Sequence, residues 1–177
     1  MKFFETVFAL GLVATSFAEP IPHEKRSLSQ YTAVISSISA QVAVVNTATN
    51  NYIAGTVAGS VVQTASNQLV TVINTGTTNV GTYAALNTLD ALALISPIQT
   101  LAGDVGDLVD DVITAKPKFV TDGLDDDVLA SLQQQKTAST ALATAISAKV
   151  PAALQSTAQQ LAAQVTAEIQ RGIDAYS

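Results

Sequence analysis

Residues 27–49 read SLSQYTAVISSISAQVAVVNTAT, and the spacing of their apolar side chains decides the fold. Leu28, Tyr31, Ile35, Ile38, Val42 and Val45 stand three or four residues apart, and Tyr52 continues the series. That is the repeat of one helix face, and a half-buried strand would alternate every second residue instead. Ser27-Leu28-Ser29-Gln30 fits a capping box, so the helix is expected to open near Ser27.

Toward the C-terminus the same period recurs. A second segment, about Thr56 to Asn79, carries Val57, Val61, Ala65, Leu69, Val72 and Gly76. Its Val, Thr and Asn content gives poor helix propensity. Packing must hold it as a helix, and a strand stays open as the alternative. Gly76 to Gly81, GTTNVG, reads as a loop, and a short helix is expected over Tyr83 to Ile95. Ser96-Pro97 restarts the chain as cap and first helical residue. The stripe Ile98, Leu101, Val105, Leu108, Val112 follows, until Lys116-Pro117-Lys118-Phe119 ends or kinks it. After a turn at Thr121 to Gly123, Asp125, Asp126 and Asp127 suit a helix start. The helix from about Asp126 to Lys149 shows Val128, Leu132, Gln135, Ser139, Leu142 and Ile146 on one face. Pro151 opens the last helix, with Leu154, Ala158, Leu161, Val165, Ile169, Ile173 and Tyr176. The expected fold is all-α: an antiparallel bundle of about five helices, with short connections.

Toward the N-terminus the composition changes. Residues 1–18 have an early Lys2, an apolar run from Val7 to Val13, and small Ser16 and Ala18 at the −3 and −1 positions of a cleavage site. They read as a secretory signal cut after Ala18, with a run too short to span a bilayer. Residues 19–26, EPIPHEKR, read as a propeptide or flexible leader, since two prolines and four charged groups leave nothing to pack. Lys25-Arg26 resembles a dibasic site for a kexin-type protease; an exposed, uncut tail is the alternative. The folded domain is then 27–177. Cleavage at Arg26 would remove His23, the single histidine.

Removing residues 1–26 takes three charges of each sign, so the net charge stays at −6. An acidic chain is a poor partner for nucleic acid or anionic headgroups. Without cysteine there is no disulfide framework. Only 12% of residues are charged while 48% are hydrophobic, so the exterior must be Thr, Ser, Asn, Gln and Ala. Such a surface tolerates apolar contact. No Asn-x-Ser/Thr sequon is present, and any glycosylation would be O-linked. The C-terminal RGIDAYS carries no hydrophobic tail for a lipid anchor, and no transmembrane segment is expected.

Catalysis finds little material. A nucleophile needs a base, and the domain has no histidine to serve. Eight aspartates, Asp104, Asp107, Asp110, Asp111, Asp122, Asp125, Asp126 and Asp127, form an acidic cluster. They do not match an EF-hand loop, and Asp104, Asp107 and Asp111 fall opposite the apolar stripe, as on a solvated face. Neither a metal nor a cofactor is expected, and the chain reads as non-enzymatic.

Gln135 and Ser139 interrupt the stripe of the Asp126–Lys149 helix where core residues belong. Either the helix is rotated so that they reach the rim, or they face an internal cavity and hold a ligand's polar head. The remaining stripes are Ala, Val and Leu with few aromatics, a set that can enclose space for an apolar guest. The candidate lining is Leu101, Val105, Leu108, Val112, Phe119, Leu132, Leu142, Ile146, Leu161 and Val165.

Four stretches carry a family resemblance: Tyr31-Thr32-Ala33-Val34-Ile35-Ser36-Ser37-Ile38; Leu108 through Lys116-Pro117-Lys118-Phe119; Val128-Leu129-Ala130-Ser131-Leu132 leading to Thr140-Ala141-Leu142 and Lys149-Val150-Pro151; and the ending with Ile173 and Tyr176. In this order the chain resembles the fungal hydrophobic surface-binding protein A family, which includes the cell-wall galactomannoproteins. The resemblance implies a secreted, extracellular or wall-associated helical bundle. It implies binding of hydrophobic surfaces or fatty acids, with a secreted esterase as a partner; the alternative is a structural, antigenic cell-wall mannoprotein whose Thr and Ser surface carries O-linked sugars and meets cell-wall polysaccharide. This sequence lacks the Ser/Thr-rich stalk and anchor signal of wall-anchored members, so a free secreted form is expected.

Overall fold

The computed structural model describes residues 23–177, with side chains from Ser27 onward. The signal segment with Ala18, and residues 19–22, lie outside the described residues, as do the side chains of Lys25 and Arg26. The described chain forms six α-helices: α1 (His23–Ile53), α2 (Gly59–Thr82), α3 (Thr88–Ala93), α4 (Ile95–Thr121), α5 (Asp125–Ser147) and α6 (Gln155–Tyr176). One turn of 3-10 helix (Ala152–Leu154) precedes α6. There is no strand among the described residues, so the strand alternative for the second segment falls.

The five long helices alternate in direction along the chain, as short connections require. In space they close a ring: α1 packs on α2, α2 on α5, α5 on α6, α6 on α4, and α4 back on α1. Five alternating helices cannot close a ring without at least one parallel contact, and here there are three. In the α1–α4 pair, Ser39 meets Asp104, Asn46 meets Asp111, and Tyr52 meets Asp122, so both helices advance together. The α4–α6 and α2–α5 pairs are parallel for the same reason. Consecutive α4 and α5 sit on opposite sides of the ring and barely touch. A bundle wound this way has a middle that no helix fills.

Several boundaries differ from the sequence reading. Helix α1 begins at His23, four residues before Ser27, so Ser27 lies inside the helix and is buried. Glu24, Lys25 and Arg26 are good helix formers, so the helix already runs at the first described residues. Gly76 to Gly81 is not a loop but the end of α2. Gly76 is buried against Val34, Val80 is fully buried, and the Thr77 and Thr78 hydroxyls donate to the carbonyls of Ile73 and Asn74. The buried face of α2 is Val62, Ala65, Ser66, Leu69, Ile73 and Val80, while Val61 points to solvent. The short third helix spans only Thr88–Ala93, capped by the Asn87 side chain, which accepts from the Asp90 amide at 2.8 Å. Helix α4 opens at Ile95, so Pro97 is its third residue, where an amide hydrogen has no helical partner anyway. It also runs through Pro117 to Thr121. Phe119 is held there by stacking on Tyr52 at 4.4 Å between ring centres, and Gly123, at φ 68°, turns the chain into α5.

The acids near the middle of α4 are not merely solvated. Asp104 accepts from the Ser39 hydroxyl at 3.0 Å, and Asp111 accepts from the amides of Asn46 at 2.8 Å and Asn50 at 2.7 Å. They form a polar seam that fixes the register of α4 on α1. Asp110 is held by Arg171 of α6, which also pairs with Glu168. Asp107 is exposed.

By length and composition, α1 and the α3–α4 run are each apolar enough to cross a bilayer. In this fold their apolar stripes instead supply two sides of the ring's interior.

Candidate functional site

The ring encloses a cavity of about 120 Å³. That is roughly ten times the room that one buried water requires. All five long helices line it. From α1 come Ile35, Ile38, Val42 and Val45; from α2, Val62, Leu69 and Ile73. These are the helix faces that the three-four spacing exposes to the ring axis.

Of the lining residues expected from sequence, Leu101, Val105, Leu108, Val112, Phe119, Leu132, Leu142, Ile146 and Val165 all border this cavity. Leu161 does not. It lines a smaller adjoining pocket of about 20 Å³ beneath α3, with Ala91, Leu94, Val150 and Leu154. Ile98, Ile146 and Ala158 border both spaces, so the two are neighbours along the ring axis.

Gln135 and Ser139 both border the main cavity. Gln135 is 6% exposed, so rotation to the rim is not the explanation for its place in the stripe. Ser139 is half-buried one turn further along α5. Sequence reasoning missed two polar partners. Ser66 on α2 is buried and lines the same space, and Ser131 stands one turn before Gln135. The spacing Ser131, Gln135, Ser139 was visible as a polar line at four-residue intervals within an apolar face. Ser66 carried no such signal, because Ser, Thr and Asn occur all round α2. Gln135 and Ser66 make no hydrogen bond within the protein, yet neither carries a sealed, unpartnered polar atom. Their side-chain polar atoms therefore keep accessible surface, and both residues border the cavity.

The charged side chains are placed elsewhere. Asp127, exposed at the start of α5, is the single charged residue among those lining the cavity. Lys116 donates to the Ala175 carbonyl and lies over the Tyr176 ring, and Lys118 pairs with Asp122. Lys136 donates to Gln170, and Lys149 donates to the carbonyls of Gly81 and Tyr83 at the end of α2. Three tyrosines lock the ends of the ring. Tyr31 donates to the Ala84 carbonyl at 2.9 Å, Tyr52 to Asp122 at 2.6 Å, and Tyr176 to the Val112 carbonyl at 2.7 Å. Burial, reinforced by Tyr83, pushes the Tyr31 phenol up to about 12. Burial raises Tyr52 and Tyr176 further, with Asp122 adding to the effect at Tyr52.

Comparison with known proteins agrees with this architecture. The family model described as hydrophobic surface binding protein A matches residues 28–148. The chain is 40% identical over 173 residues to a cell wall mannoprotein 1 of Aspergillus flavus, and 43% identical over 176 residues to that of Aspergillus fumigatus. These matches take in 98% and 99% of this chain but only 62% and 60% of the relatives, so the chain spans about three fifths of their length. Among solved structures, ligand binding domain 1 of the Penicillium marneffei MP1 protein, complexed with arachidonic acids, superposes with a TM-score of 0.80 at 29% identity. The match covers 86% of this chain and 99% of that domain. The AFMP4P protein, in complex with palmitic acid, shares the fold with a TM-score of 0.79 at 19% identity, covering 85% of this chain and 99% of that one. On the match across residues 28–148 and the identity to the mannoproteins, the chain belongs to the hydrophobic surface binding protein A family.

Proposed function

We propose that this chain is a non-enzymatic binding protein that holds a fatty acyl chain in its central cavity. The observation that carries this reading is the ring of five helices around a largely apolar space, into which α5 brings a polar line, Ser131, Gln135 and Ser139, facing the same space as Ser66 of α2. Removing apolar surface from water supplies the affinity, at about 0.8 kcal/mol per buried methylene before the cost of immobilising the guest. The complexes of the MP1 domain with arachidonic acids and of AFMP4P with palmitic acid support the same class of ligand here. Titration with palmitic acid tests it. The double variant Gln135→Leu/Ser139→Leu should bind palmitic acid about tenfold more weakly, because it removes hydrogen bonds to the polar head. Binding of a hydrocarbon without a head should be unaffected. Unchanged palmitic acid affinity would remove Gln135 and Ser139 from the site.

Adsorption to hydrophobic surfaces is a second activity, favoured by the family and by one end of the bundle. There α3 carries Leu89, 78% exposed, and Leu92, 44% exposed. Described charges at that end are Asp90, tied to Asn87, and Lys149, turned in to the end of α2. Leu89→Ser/Leu92→Ser should reduce retention on hydrophobic beads and leave the fold intact; equal retention would place adsorption on another face. The mannoprotein relatives support an extracellular or cell-wall location, and secretion would use residues 1–18 and processing at Lys25-Arg26. Contact with a secreted esterase or with wall polysaccharide would be made from that outer surface.

A further inference from the structure

We infer that the cavity selects acyl lipids whose head carries no charge: a protonated acid, an alcohol or an ester, in preference to a free carboxylate. The inference rests on the carrier reading above and adds what the site demands of the head.

Among the described residues, no titratable or charged side chain faces the cavity from α1, α2, α4 or α6, and from α5 only Asp127 does. The uncharged polar side chains among the lining are amides and hydroxyls: Gln63, Ser66, Ser131, Gln135, Ser139 and Ser147, with Thr166, whose hydroxyl already donates to the Ala162 carbonyl. Each can donate one hydrogen bond or accept another, so an alcohol or a carboxylic acid is served in both roles, and an ester, which only accepts, is served without bringing a charge. A carboxylate accepts only, and it brings a full charge into an apolar space. Burying a charge without a counter-ion is far costlier than burying a neutral polar group that finds a hydrogen bond.

Among the described residues no counter-ion lines the cavity. The described cations are Lys116, Lys118, Lys136, Lys149 and Arg171, and each is engaged by a protein acceptor away from the cavity. The amino end of α5 offers a partial positive charge, but Asp125, Asp126 and Asp127 occupy its first turn and oppose an incoming anion. A fatty acid entering this site would therefore take up a proton, and its affinity would rise as pH falls.

The test uses the full chain, stripped of lipid, with three probes of one chain length: dodecanoic acid, dodecanol and methyl dodecanoate. Near pH 8 a carboxyl group of ordinary pKa about 4.3 is ionised, and dodecanol should bind at least about tenfold more tightly than dodecanoate. The gap should close as pH falls toward about 5, through tighter binding of the acid. Dodecanol does not titrate in this range and reports any change in the protein itself, including Asp127. Ser139→Lys, which places a cation at a half-buried lining position, should abolish the preference for alcohol. A melting curve establishes whether that variant is folded, and the comparison of probes on the unaltered chain decides the matter without it. Dodecanoate binding as tightly as dodecanol near pH 8, with no gain on acidification, would overturn the inference and leave the carrier reading standing. Failure of all three probes to bind would overturn both.

Discussion

At Gly76 the Cβ of an alanine would stand 2.7 Å from Val34 Cγ1, below any real contact distance. Val34 is β-branched and stiff, so the α1–α2 pair would have to part. Gly76→Ala should cost about 1–3 kcal/mol by overpacking, more than the roughly 1 kcal/mol that alanine gains in a helix. Gly103, also helical but with nothing within 4 Å of its would-be Cβ, gives the opposite sign. Gly103→Ala should stabilise by about 0.5–1 kcal/mol. Urea unfolding of the two variants checks both; a stabilised Gly76→Ala would mean that the helices stand further apart than described. The buried tyrosines give a pH dependence. A phenol whose folded pKa lies above its unfolded value contributes stability that is intact below the unfolded pKa and lost as pH rises through the folded one. With Tyr31 pushed from 10.0 up to about 12, stability should hold to near pH 10 and fall between there and pH 12. In a Tyr83→Phe background, tyrosinate absorbance from Tyr31, Tyr52 and Tyr176 should rise with the loss of helix by circular dichroism, and free titration of these three at pH 10 in a folded chain would contradict the burial.

The helices show where sequence patterning suffices and where it does not. Helix α1 was legible because six apolar side chains hold one face and small polar residues hold the rest. In α2, Val and Thr occur on both sides, so the face chosen by spacing included Val61, which is exposed, and passed over Ile73, which is buried. GTTNVG resembled a loop because Gly, Thr and Asn are poor helix formers in isolation. Tertiary contact overrides this: the glycine admits Val34, and the threonines satisfy helical carbonyls. The polar seam between α1 and α4 had no local signature, since Asn46 and Asp111 are 65 residues apart in sequence. Asp111→Ala leaves two asparagine amides without their acceptor and should cost about 1–3 kcal/mol. In a double-mutant cycle with Asn46→Ala, the coupling should exceed the roughly 0.5 kcal/mol expected of independent sites. Additivity would show that the seam does not set the register.

For the molecule as a whole, the sequence disclosed an all-α bundle and most of the apolar lining, because each stripe reports the face its own helix buries. It did not disclose the order in which the helices close. That order, α1, α2, α5, α6, α4, puts consecutive α4 and α5 on opposite sides and leaves the centre open. Leu161 shares the stripe of Val165 but lies one turn nearer the α3 end, and so it meets the smaller pocket. A ligand that binds only the closed ring must stabilise it: at a hundredfold excess over its dissociation constant the gain is about 2.7 kcal/mol, read as a rise in melting temperature.

The most direct measurement is a native mass spectrum of the intact chain after incubation with palmitic acid, beside a variant whose cavity is filled by Val165→Phe. The account predicts one or more palmitic acid adducts on the unaltered chain, released on gentle activation, and a marked loss of them in the filled variant with its fold retained. No adduct on the unaltered chain, or equal adducts on both, would contradict a ligand held at the centre of the ring.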